Sequence, residues 1–204
     1  MAEVSEQGLY PAEHRALREL YAMARQLARH WDRLAERLGG AAEEVLVSGA
    51  SDARELLDEL TSRTAAHGLH GFPAAQGAGG RIADVRNLAG DLLLERNQAL
   101  RAAVLDVAHL TTLLAYLSGL ADRRGDALLA TRHRRWEARL REVQEAITAA
   151  AISLAEDPAD AIEPASPTRA GRVGHSIGAG FGTLGEAVDA SVVGRVVRRR
   201  SGRE

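Results

Sequence analysis

The chain has 204 residues, 46% of them hydrophobic but only 3% aromatic, with no cysteine and a formal charge of -2. That length suffices for one core without covalent staples, and the missing cysteines exclude disulfides, thiolate metal sites and thiol nucleophiles. All 26 basic side chains are arginine, which removes Schiff-base and phosphate-loop lysines, and the near-neutral balance weighs against a dedicated nucleic-acid binder.

The N-terminal MAEVSEQGLY has neither the basic start nor the apolar stretch of a signal peptide, and no run reaches the roughly 18 apolar residues of a membrane span. A cytoplasmic chain is expected. Ala, Leu, Arg and Glu dominate the composition and favour helix. The expected fold is all-α, an antiparallel bundle of about four main helices over residues 1–157, a flexible linker over 158–171 and a Gly/Val/Arg-rich tail over 172–204.

In chain order, Leu17, Leu20, Ala24, Leu27, Trp31, Leu34 and Leu38 alternate spacings of three and four, a heptad seam on a helix that starts at Pro11 and stops at Gly39-Gly40. Ala41 to Val47 then predicts one or two turns ending at Ser48-Gly49. A new helix is expected from Asp52, with Glu55 three residues on as a capping box, a buried side of Leu56, Leu57 and Leu60, and an end at Gly68. The stretch GLHGFPAAQGAGG between Gly68 and Gly80 reads as a loop.

Helical spacing returns from Arg81 to about Arg123 through Ile82, Val85, Leu88, Leu92, Leu93, Leu100, Val104, Val107, Leu110, Leu114 and Leu117. The apolar stripe pauses at Arg96-Asn97-Gln98, where a break would fall. Gly125 predicts a tight antiparallel hairpin. The last long helix carries Leu129, His133, Trp136, Leu140, Val143, Ile147, Ala150 and Leu154, and Asp157-Pro158 closes it.

Among groups that carry chemistry, His67 and His70 form the closest histidine pair, and Asp106 with His109 has the spacing of one metal-ligating half. A di-iron bundle needs carboxylates on two helices and Glu-x-x-His on two more, so no metal and no cofactor is expected. His133 occupies a seam position and reads as a partly buried, hydrogen-bonded imidazole. No Gly-x-Ser-x-Gly elbow, His-Glu-x-x-His or phosphate loop occurs, so no catalytic residue is assigned.

Arg123, Arg124, Arg132, Arg134 and Arg135 cluster at the hairpin and the start of the last helix. Positive charge is disfavoured at a helix N-terminus, so these guanidiniums either pair with acids or face an anionic partner. In the tail, Gly174, Gly178 and Gly182 recur every fourth residue and would form a smooth strip on a helix. Val188, Val192, Val193 and Val196 would share a face of a short helix that docks on the bundle, whereas the run from Ser191 to Val197 has the β-branched density of a self-associating strand. Arg195, Arg198, Arg199 and Arg200 complete the candidate interaction set.

A helical bundle, a proline-containing linker and a short apolar terminal motif resemble, in layout, the HeLo-type and bacterial Bell-domain effectors. That resemblance implies a bundle that acts on membranes and a terminal segment that receives an assembly signal. The reading preferred from the residues is a non-enzymatic interaction or scaffold protein whose tail binds a protein partner or a second copy. The alternatives are a membrane-active effector and an enzyme with its site around His109 and His133. No small-molecule substrate is evident.

Overall fold

The structure, a computed structural model, describes residues 8–64 and 94–166. These form an all-α bundle. Helix α1 (Pro11–Leu38) begins with proline at its first position and buries the whole expected seam, Leu17, Leu20, Ala24, Leu27, Trp31, Leu34 and Leu38. It stops where Gly39 and Gly40 take φ of 64° and 60°, values that residues with a Cβ rarely adopt.

Helix α2 (Gly40–Thr64) runs without interruption through Ser48, Gly49 and Asp52, in place of the expected short turn and second start. Two local signals were overridden by packing. Gly49 lies against the Trp31 ring: a Cβ there would overlap the indole, come to 2.7 Å from Cε3 and reach 2.9 Å from Val143 Cγ1. Asp52 is no cap, since its carboxylate pairs with Arg139 of a later helix. The expected end at Gly68 and the loop that follows lie outside the described residues.

Helix α3 (Arg96–Arg124) starts where the apolar stripe pauses. The Gln98 side chain accepts from the Glu95 N–H at 3.3 Å, and the Arg96 guanidinium donates to the Leu38 carbonyl at 2.8 Å, which ties the start of α3 to the end of α1. Leu100, Val107, Leu110, Leu114 and Leu117 are buried, as the spacing predicts; the apolar positions from Ile82 to Leu93 lie outside the described residues. Gly125, at φ 82°, makes the left-handed stop, and the N–H of Asp126 returns to Ala121 O at 2.9 Å.

Asp126 caps helix α4 (Ala127–Ser153) by accepting the Leu129 N–H at 3.0 Å. His133, Trp136, Leu140, Val143 and Ile147 are its buried seam. The helix ends at Ser153 in a 3-10 turn, and Asp157 begins a new element instead of closing the old one. It caps the short α5 (Pro158–Ala161), accepting from Ala159 N and Asp160 N.

The first residues of the stretch expected as a flexible linker are docked. Arg96 N donates to Glu163 O at 2.9 Å, Ala165 N to Leu94 O at 3.0 Å, and Asn97 Nδ2 to Ala161 O at 2.8 Å. Ala161, Ala165 and Ser166 are buried. Backbone pairing and small side chains fix this segment where few large apolar anchors are present.

The principal packings are α3 on α4, α1 on α2, α1 on α3 and α2 on α4, each pair antiparallel. Since α1 meets both ends of α3 in reverse order, α2 and α3 run the same way. The end of α2 and the start of α3 therefore lie at opposite ends of the bundle.

Gly49→Ala tests the notch beneath Trp31. Helix propensity alone would favour alanine by about 1 kcal/mol, but overpacking a core costs about 1–3 kcal/mol, and Trp31 is wholly buried. The expected outcome is a net loss of stability in denaturant titration; a gain equal to the propensity term would reject the notch.

Candidate functional site

The charged end of the bundle is built from four chain segments. Glu13 falls in the first turn of α1, where its carboxylate also lies 3.4 Å from the Tyr10 N–H. Its side chain is 0% exposed, and Arg124, at the end of α3, is 4% exposed. The guanidinium grips the carboxylate in a fork, Nε to Oε2 at 3.1 Å and Nη2 to Oε1 at 2.9 Å, and reaches the capping Asp126 at 3.3 Å. Hydrogen bonding to Glu13 pushes the Arg124 pKa still higher, so the guanidinium stays charged.

His133 lies beneath this pair. It is 2% exposed, and its Nε2 has no hydrogen-bond partner among the described residues. The imidazole is therefore more fully buried than expected, and its Nε2 lacks the expected bond. Burial depresses its pKa to about 4, although Glu13, Asp126 and Glu59 pull the other way. The ring lines a cavity of about 40 Å³ with Leu17, Leu56, Leu129 and Trp136, a space on the scale of a single water molecule.

On the cavity wall, Glu59 of α2 gathers two donors and a third cation from α4. Trp136 Nε1 binds it at 2.8 Å, Arg135 at 2.7 Å, and Arg132 Nε stands at 3.9 Å. Arg139 lies 4.9 Å from the centroid of the Trp136 ring, a cation–π distance, while binding Glu55 at 2.6 Å and also Asp52. Hydrogen bonding and attraction to Arg139 hold the Glu55 carboxyl below its usual range. An open groove of about 480 Å³ follows along α2 and α4, with Glu44, Ser48, Asp52, Arg139 and Glu142 on its walls.

The expected anion-facing arginines thus divide. Arg124 points inward to Glu13. Arg132 and Arg135 face Glu59, and Arg134 binds Asp122 at 2.8 Å and Ser118 Oγ at 3.1 Å. Arg123 is exposed. The structure therefore joins most of the cluster to acids from neighbouring turns and helices, a pairing with Glu13 and Glu59 that sequence spacing does not reveal.

His109 and His133 do not share this site. His109 binds Glu19 at 2.9 Å, and Asp106 stands 3.5 Å from His30 Nδ1, so the Asp106–His109 spacing directs its two side chains to different partners on α1. The two histidines lie sixteen and eight residues from Gly125, which separates them by about 12 Å along the hairpin. Among the described residues no three His, Asp or Glu side chains gather as a metal site. Gly174, Gly178, Gly182, Val192, Val193, Arg195 and Arg198 to Arg200 lie outside the described residues, as do His67 and His70.

A second surface escaped the sequence reading. On the outer side of α3, Leu105 is 71% and Tyr116 50% exposed, with Thr112, Ala115 and Gly119 exposed alongside. The available signal was that α3 carries more apolar residues than one buried face accommodates.

Because the folded His133 pKa lies below its unfolded value near 6.5, its contribution is present in full above pH 6.5 and is lost as pH falls toward 4. Stability should decline by about 1–2 kcal/mol between pH 6.5 and 5 from this group. His133→Leu should flatten that part of the pH profile; an unchanged slope would place the imidazole's titration elsewhere. No protein-family model, curated protein or solved structure matches the chain.

Proposed function

We propose that the chain is a non-enzymatic interaction module, in which the bundle is a rigid scaffold and residues 172–204 bind a protein partner or a second copy. The supporting observation is the outer face of α3, although Val47 of α2 and Leu128 and Ile152 of α4 are also exposed. Along α2 and α4 the charged side chains bind one another, as Glu59, Glu55 and Asp52 do with Arg132, Arg135 and Arg139. Along α3, Leu105 and Tyr116 face outward. Exposed apolar side chains in a row on a rigid helix suit recognition of another apolar surface.

A membrane-active role is the second reading, favoured by one observation. Helix α3 is long and apolar enough to cross a bilayer by length and composition, although it packs here as a core helix.

The test compares the full chain with one ending at Ser166, since a cut at Asp157 would also remove the buried Ala161, Ala165 and Ser166. Mass by light scattering over a concentration series and co-sedimentation with anionic and neutral liposomes are the readouts. The expected result is self-association by the full chain that the truncation abolishes, with no vesicle binding. Tail-dependent binding to anionic vesicles alone would replace the first reading by the second. Two monomers that ignore both vesicles would contradict self-association and membrane action together.

A further inference from the structure

The outer face of α3 has a definite layout. At 100° per residue, Arg101, Leu105, Thr112, Tyr116, Gly119 and Arg123 lie along one stripe. Arginines bracket it, and its neighbouring carboxylates turn aside, Asp106 toward His30 and Asp122 toward Arg134. Glycine is among the poorest helix formers, yet nothing lies within 4 Å of where a Cβ on Gly119 would stand. Internal packing therefore gives no reason for it, whereas close approach by an external backbone does.

We propose that this stripe is the docking site for the chain's own segment 184–197, LGEAVDASVVGRVV. The inference rests on the reading of the tail as a binding element and supplies its resting position, so that a partner competes with α3 for it.

Two features of the chain select this occupant. The first is position: the described chain ends at the buried Ser166, and Ala165 pairs with Leu94 just before α3. The tail therefore departs from the end of the bundle where α3 starts. From Leu94 to Thr112 is about 27 Å of helix axis, and the seventeen residues from 167 to 183 give a connector with a root-mean-square span of roughly 23 Å. A connector whose length matches the gap holds its cargo near the site at about millimolar effective concentration, so a weak contact suffices.

The second is size. On a helix, Leu184, Val188, Val192 and Val196 span about 18 Å, against about 17 Å from Leu105 to Tyr116.

The absence of native cysteine makes the test clean. Thr112 on the stripe and Ala138 on α4 are both exposed and lie thirteen residues either side of Gly125, at the same height along the hairpin. Thr112→Cys and Ala138→Cys are each combined with Ser191→Cys in the full chain and oxidised with copper phenanthroline. The stripe pair should close an intramolecular disulfide at least tenfold faster than the α4 pair. Adding Leu105→Asp and Tyr116→Asp, both at exposed positions, should reduce the stripe pair to the α4 rate.

Equal rates at the two positions would overturn the proposal, as would a stripe pair that links only between molecules or is indifferent to the two aspartates. Any of these results with tail-dependent association intact removes docking within the chain and leaves the interaction role of the tail. Loss of association with fast stripe closure does the reverse.

Discussion

The arrangement depends on one buried ion pair. Glu13 and Arg124 are separated by 111 positions in sequence and held at 2.9 and 3.1 Å, with neither side chain open to solvent. Through them the first turn of α1, the last turn of α3 and, by way of Asp126, the first turn of α4 meet at one point. A buried pair contributes little net stability over apolar residues of the same volume, because desolvation offsets its attraction. Breaking it is another matter, since either charge left alone in that site is costly. The pair thereby favours the arrangement in which those helix ends meet.

Around that point the chain distributes its two kinds of surface unequally. The α1–α2 contact is made by shape, with Trp31 seated over Gly49, and by the ion pair of Asp32 with Arg54. The α2–α4 contact adds charge, with Glu59 and Arg139 placed around Trp136. Val47 of α2 and Leu128 and Ile152 of α4 nevertheless remain exposed. Helix α3 buries one side against α1 and α4 and leaves Leu105 and Tyr116 outside, so unsatisfied apolar surface on that helix is directed outward.

Periodicity carried most of the fold. The seams of α1 and α4 were readable because each turn of a half-buried helix must place an apolar residue on one side, and the pause at Arg96 marked a true helix start. Local punctuation misled where tertiary contacts overrode it. Ser48-Gly49 reads as a stop, but the glycine is there for an indole eighteen positions earlier. Asp52 reads as a cap, yet it pairs with Arg139 from a distant segment. Proline and small residues after Asp157 read as linker, and backbone bonds to Leu94 and Arg96 hold them in place.

The charged end was the least accessible to such reading. Glu13 looks like any acidic residue in a first helical turn, and Arg124 like one of a run. Nothing in their neighbours signals that both are buried and joined. The same limit applied to His133, whose seam position was visible while its unpartnered Nε2 was not. On α3 the converse held, since Leu105 and Tyr116 exceed what one buried face requires and a count around the helix would have singled them out.

The most direct measurement of this account is a double-mutant cycle on the full chain, with Glu13→Leu, Arg124→Met and the two combined, followed by denaturant unfolding at pH 7. Each single change should cost about 3–5 kcal/mol by stranding the opposite charge, and the double variant should recover most of that loss. Costs that simply add would contradict the account, because they would mean that the two side chains do not depend on each other and that the ends of α1 and α3 are joined by something else.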